Sequence, residues 1–191
     1  MKLVFATNNK NKIYELSKLI TGKTGLLSLS DIHCDEELPE TQPTIESNAL
    51  QKAKYVFEKY KVNCFADDTG LEIEALAGRP GVYSARYAGA GKSAEDNMAK
   101  VLGEMHDMKN RKAKFRTVIA LIMDGKEKLF EGSVDGLILE KKQGEKGFGY
   151  DPIFKPAGFE KSFAEMDIEE KNRISHRARA VNKLVDYLNS L

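Results

Sequence analysis

The chain has 191 residues, 41% hydrophobic and 31% charged, the composition of a globular protein large enough for one large domain or two lobes sharing a core. Lys plus Arg number 30 and Asp plus Glu 29, a balance that argues against a general nucleic-acid or membrane-surface role and leaves room for a local basic pocket. Cys34 and Cys64 lie far apart and fit free buried thiols in a reducing compartment better than a disulfide framework, and no apolar run has the length of a signal-peptide core or a membrane span, which points to the cytoplasm.

Leu3 to Ala6 is a continuous apolar run, the pattern of a buried strand. It gives way to Thr7-Asn8-Asn9-Lys10-Asn11-Lys12 and then to an amphipathic helix with Ile13, Leu16, Leu19 and Ile20 on one face. A polar turn between a first strand and a helix N-terminus suits phosphate, because free backbone N–H groups and the helix dipole favour an anion and Lys adds a point charge. A solvated loop with an Asn N-cap is the commoner use of such a turn. Leu26 to Leu29 reads as a second strand, and Asp31 to Pro43 as an irregular acidic segment in which Glu40, just before the next helix, is the candidate metal ligand. Thr44 to Tyr60 has helical spacing, and Lys52 sits in mid-helix beside Ala49 and Ala53, where it points inward or snorkels outward.

Cys64-Phe65-Ala66 then delivers two adjacent carboxylates, Asp67 and Asp68, followed by Thr69-Gly70 and the alternation Leu71 to Ala75. This predicts a strand ending at a tight turn. Neighbouring strand residues face opposite ways, so one acid serves a pocket while the other supports it. Hard oxygen ligands at such a place suit Mg²⁺, which usually takes one or two carboxylates plus substrate phosphates. Beyond a Gly- and Pro-punctuated loop from Gly78 to Gly89, a helix is predicted over Ser93 to Met105 with Ser93 as N-cap. Lys114 to Met123 and Glu127 to Phe130 flank Asp124-Gly125, a hairpin signal, and Val134 to Leu139 extends or follows the second strand. A Gly-rich stretch, Gly144 to Asp151, and a long helical pattern, Glu169 to Leu191, complete the chain.

Gly89-Ala90-Gly91-Lys92-Ser93 imitates the end of a P-loop, and Val118 to Asp124 the strand and acid that accompany one. The first glycine of that motif is replaced by Arg86, and no apolar strand precedes Gly-Lys-Ser, which argues against the reading.

Taken together, Thr7 to Lys12, Ser47-Asn48-Ala49 with Lys52-Ala53, Ala66 to Glu72, Gly78 to Arg86, Gly147-Phe148-Gly149-Tyr150-Asp151-Pro152, Phe163 to Met166, Lys171 and Ser175-His176-Arg177 resemble the inosine triphosphate pyrophosphatase family, collinearly over nearly the whole chain. The resemblance implies an α/β fold: a single domain over 1–191 with an elongated mixed β-sheet flanked by helices, two lobes and a nucleotide cleft. It implies a homodimer that hydrolyses purine nucleoside triphosphates with deaminated bases (dITP, ITP, XTP) to the monophosphate and pyrophosphate with Mg²⁺, binding neither nucleic acid nor membrane. Asp68 would be catalytic and a metal ligand with Glu40, supported by Asp67. Lys12 and Lys52 would bind the triphosphate, wrapped by Thr7, Asn8, Asn9, Lys10 and Asn11, and Thr69 would touch the nucleotide. Phe148, Gly149 and Tyr150 would line the base, which Asp151, Lys171, His176 and Arg177 would read. Thr69 stands where many relatives have Ser, and Tyr150 where others have Trp; each keeps the hydroxyl or the aromatic ring. The competing readings are a P-loop NTPase releasing orthophosphate and a non-catalytic nucleotide- or RNA-binding module.

Overall fold

The computed structural model describes residues 2–20 and 25–191. Its elements, in order, are β1 (Lys2–Phe5), α1 (Lys10–Leu19), β2 (Gly25–Leu27), α2 (Ile45–Tyr60), β3 (Cys64–Ile73), β4 (Pro80–Gly81), α3 (Ala94–Glu104), β5 (Lys112–Met123), β6 (Lys126–Ile138), β7 (Phe154–Pro156), α4 (Ile168–Ile174) and α5 (His176–Asn189). The strands form one mixed sheet in the order β2-β1-β3-β5-β6-β7, with β4 also paired to β3. β1 is parallel to β2 and β3, while β3–β4 and β6–β7 are antiparallel, so the α/β class with a mixed sheet and helices is as expected. Among the described residues no helix is long and apolar enough to cross a membrane.

The chain divides into two compact units, one of residues 1–68, 117–132 and 177–191 and the other of 69–116 and 133–176. The first has its own core of Leu3, Phe5, Leu16, Phe65, Ile119, Leu121, Val181 and Leu184, in which Phe5 and Phe65 stack at 4.7 Å across the β1–β3 pair. The second is built on Leu71, Ile73, Val101, Phe115, Ile153, Phe154 and Phe163.

Three sequence expectations need correction. The central stretch does not turn at Thr69-Gly70: β3 runs through it to Ile73. Pairing partners exist for both halves, β1 opposite Cys64 and Phe65 and β4 opposite Leu71 and Glu72, and a strand with a ladder on both halves stays extended through a glycine. The C-terminal helical pattern is two helices, because Ser175 is extended (ψ 153°) and ends α4 before α5 begins. The second strand is Gly25–Leu27, shifted from Leu26 to Leu29, and Ser30 to Ile32 form a 3-10 turn inside the acidic segment expected to be irregular. The hairpin tip is as expected: Asp124 and Gly125 both have positive φ (50° and 77°), as a type I′ turn requires.

Candidate active site

In the first unit, four elements bring charged side chains together. Asn9 caps α1 by accepting from the N–H groups of Asn11 (3.0 Å) and Lys12 (3.2 Å), and Thr7 Oγ1 accepts from Asn9 N–H at 3.2 Å. Two of the amides expected to receive phosphate are therefore already satisfied, and the attraction of this turn for an anion rests more on its side chains. Asn8, Lys10 and Asn11 are exposed; Asn8 donates its amide to the Glu36 carbonyl at 3.0 Å. One turn into α1, Lys12 and Glu15 share a face, as residues three apart do.

The two acids of β3 are sorted as strand alternation requires. Asp67 is fully enclosed: Lys12 Nζ lies 3.0 Å from Oδ1, and Arg177 Nε, from the first turn of α5, lies 3.3 Å from Oδ2. Arg177 also pairs through Nη1 with Glu15. Asp68, 8% exposed, faces Lys52, whose Nζ is 3.8 Å from Asp68 Oδ1 and 2.5 Å from Glu40 Oε1. Lys52 points inward, only 5% exposed, because α2 presents it on the same buried face as Asn48, Ala49 and Val56.

These partners set the ionisation. Burial opposes charge on Asp67, yet Lys12, Arg177 and Lys52 outweigh it and pull its pKa down to about 2. Burial pushes Asp68 up, with Lys52 and Lys12 offsetting only part of the rise. Burial also draws Lys12 below the ordinary lysine value despite Asp67, whereas on Lys52 the pull of Asp68, Glu40 and Asp67 exceeds burial and the net shift is upward. Asp67 is a permanent anion that anchors two cations. Asp68 holds its proton more readily, which suits the acid nearer solvent to proton transfer.

Among the described residues no three His, Cys, Asp or Glu side chains are close enough to cage a metal. Mg²⁺ does not require a cage, since substrate phosphates and water complete its shell. Asp68 and Glu40 already converge on one cation, the Lys52 ammonium, and offer the hard oxygen donors that Mg²⁺ prefers. The residues present fit the ion.

The second unit holds a different kind of site. Lys171 Nζ lies 2.6 Å from Asp151 Oδ2, both side chains 4% exposed, and the same oxygen accepts the Phe148 N–H at 2.8 Å. The Lys171 ammonium sits 5.1 Å from the Phe148 ring centre and 5.5 Å from that of Phe163. The His176 ring stacks on Phe115 at 4.5 Å and 13°. Gly147, at φ +74°, lies so close to Asp151 that an added Cβ would meet Oδ2 at 2.1 Å. Phe148 and Gly149 are half-buried. Tyr150 is a core residue, its hydroxyl donating to the Ser84 carbonyl at 2.7 Å, so it anchors the turn that carries Phe148 and Asp151. Thr69, half-buried on β3, begins this unit.

Sequence reasoning missed Glu15, 4% exposed and paired with Arg177. The available signal was its place three residues after Lys12 and one before the buried Leu16, a charged residue on the face that packs inward. Arg177, expected among the base readers, belongs to the first unit and gives its Nε and Nη1 donors to carboxylates. The Gly-Lys-Ser of the P-loop imitation follows no strand; it is exposed apart from Ser93, which caps α3 by accepting from Asp96 N–H.

The chain has clear relatives among known proteins. The Ham1 family profile matches residues 3–187. A dITP/XTP pyrophosphatase of Flavobacterium johnsoniae is 56% identical over 188 residues, covering 98% of each chain, and that of Porphyromonas gingivalis is 51% identical over 98% of this chain and 97% of its own. Among solved structures, the Staphylococcus aureus Ham1 protein superposes with a TM-score of 0.91 at 39% identity, covering 100% of this chain and 99% of its own. A HAM1 protein from Coxiella burnetii reaches 0.92 at 33% over the whole of both.

Proposed function

The chain belongs to the Ham1 family, and from that premise we propose that it hydrolyses dITP, ITP and XTP to the nucleoside monophosphate and pyrophosphate, removing deaminated purines from the nucleotide pool. The observation that carries the reading is the sorting of the paired acids: Asp67 locked to Lys12 and Arg177, Asp68 turned to Lys52 and Glu40.

In this reading Lys12 and Lys52 take the charge of the triphosphate, with Thr7, Asn8, Asn9, Lys10 and Asn11 around it and Thr69 against the nucleotide. Asp68 and Glu40 would hold Mg²⁺, which when bound neutralises phosphate charge. Water attacks the α-phosphorus, its proton passes to Asp68, and the bond from that phosphorus to the bridging oxygen breaks. The electron pair leaves with the diphosphate, stabilised by the lysines. Asp67 is unsuited to this proton because its oxygens already serve Lys12 and Arg177.

Base choice rests in this proposal on the second unit. Phe148 gives an aromatic face, the 147–151 turn including Gly149 and Tyr150 shapes the wall, and Lys171 and His176 supply donors to a 6-keto oxygen, with Asp151 holding Lys171. Adenine presents an amino donor where the keto acceptor should be, leaving a buried donor without its partner, a mismatch that discriminates strongly. We further propose that the protein works as a homodimer, as the family resemblance implies, and in the cytoplasm.

The test is a panel of dITP, ITP, XTP, GTP and ATP with and without Mg²⁺, with the products identified by phosphorus NMR. The expected result is metal-dependent pyrophosphate release from the first three, with ATP far slower. Orthophosphate as the product, or binding of ITP without turnover, would reject the reading in favour of an NTPase or a binding module.

A further inference from the structure

The segment before α2 lies strapped along one face of that helix. Gln42 N–H donates to Asn48 Oδ1 at 2.8 Å. Thr41 is held twice by Gln51, its N–H donating to Oε1 at 3.0 Å and its hydroxyl accepting from Nε2 at 2.8 Å. Glu40 meets Lys52 at 2.5 Å, and Glu36 meets Tyr55 and Lys59. Read backwards, the strap engages the helix in order, 42 to 48, 41 to 51, 40 to 52 and 36 to 55 and 59; positions 48, 52, 55 and 59 are three- and four-residue steps of one helix stripe, and 51 adjoins 52.

This strap needs its ties. Asp35, Glu36 and Glu37 are exposed, Glu40 follows them closely, and like charges in a short segment repel. Thr41 and Gln42 each donate a backbone N–H to these ties, so that part of the hold does not depend on the strap's side chains. Asn48 is 1% exposed, an amide buried with its oxygen committed to that N–H.

We propose that Asn48 and Gln51 are positioning residues that set the affinity for the divalent cation by fixing the backbone next to Glu40, so that its carboxylate stays beside Asp68 and Lys52. The inference rests on the reading of Glu40 and Asp68 as the Mg²⁺ ligands and assigns a function to two residues that touch neither metal nor substrate. Loss of hydrogen bonds that orient a metal ligand typically costs about 10- to 100-fold in metal affinity or activity.

The experiment titrates Mn²⁺ alone into the substrate-free protein, reading free Mn²⁺ by EPR, and separately measures the Mg²⁺ concentration for half-maximal XTP hydrolysis. Asn48→Ala should weaken Mn²⁺ binding about tenfold and raise the Mg²⁺ midpoint in parallel, with kcat at saturating Mg²⁺ close to wild type. Gln51→Ala, on the more exposed side of α2, should move both about fivefold, the worth of one net hydrogen bond, and keeps the test open if the Asn48 variant does not fold. Thr44→Ala removes the helix N-cap and lowers Tm without touching either tie, so it should leave both metal readouts unchanged. Wild-type binding of Mn²⁺ with unchanged affinity in Gln51→Ala and in any folded Asn48→Ala protein would overturn the proposal, as would an equal weakening in Thr44→Ala. A wild-type protein that leaves the Mn²⁺ signal untouched and hydrolyses XTP equally well without Mg²⁺ would instead overturn the metal reading on which the proposal rests; if Mn²⁺ binds only with substrate, the Mg²⁺ midpoint alone decides, and an unchanged midpoint in Gln51→Ala and in any folded Asn48→Ala protein overturns the proposal.

Discussion

The two units solve opposite electrostatic problems. The first gathers the carboxylates Glu15, Glu40, Asp67 and Asp68 with the cations Lys12, Lys52 and Arg177 in two sets of ion pairs, Lys12–Asp67–Arg177–Glu15 and Glu40–Lys52–Asp68. The second buries a single pair, Asp151–Lys171, among Phe148, Phe163 and the Phe115-stacked His176. A polyanion with a metal needs a dense field of both signs. A flat purine needs an aromatic face and a few fixed donors. Damage to the first should therefore show in turnover or, where a buried ion pair is broken, in stability, and damage to the second in which base is accepted.

The largest expected effect separates the two functions directly. Asp68→Asn should lower kcat for XTP by about 10⁴-fold while the XTP/ATP preference of the residual activity and the Tm stay near wild type. A loss of preference in that variant would break the division of labour. Next, Glu15→Ala should cost about 3–4 kcal/mol of stability in urea unfolding, because it takes one of the carboxylates paired with the buried Arg177 charge away. Glu15→Gln should recover part of that loss. Lys171→Met should then reduce the XTP/ATP ratio of kcat/KM about 100-fold with a much smaller fall in turnover at saturating XTP. A uniform fall in kcat for every base would place Lys171 with the phosphate machinery instead.

The smallest effect concerns the floor of the first unit. Burial pushes the Cys64 thiol up to about 12 from an ordinary value of 9. A group whose folded pKa is raised stabilises the fold fully below its unfolded pKa and loses that contribution as pH climbs toward the folded one. Stability should be flat to about pH 8.5 and fall by about 1 kcal/mol by pH 9.5. Cys64→Ala should remove that share of the slope, as read from urea midpoints at the two pH values.

Much of this contrast was legible in the sequence, and the exceptions share a cause. Lys12, Lys52, Asp67 and Asp68 could be named because short motifs carry them, and the caps at Asn9, Thr44 and Ser93 are local matters that local rules capture. The continuity of β3 was not legible. Thr69-Gly70 has turn chemistry, and its strand partners β1, β4 and β5, which no local rule reveals, hold it straight. Glu15 hid for the same reason: its meaning depends on Arg177, 162 positions away. The break at Ser175 interrupts a helical pattern that continues on both sides, and nothing in the periodicity marks it.

The central claim is that water attacks the phosphorus next to the nucleoside, and hydrolysis of XTP in water labelled with heavy oxygen tests it most directly. Mass spectrometry of the products should find the label in the nucleoside monophosphate and none in pyrophosphate. Label in orthophosphate, with a nucleoside diphosphate left behind, would contradict the account.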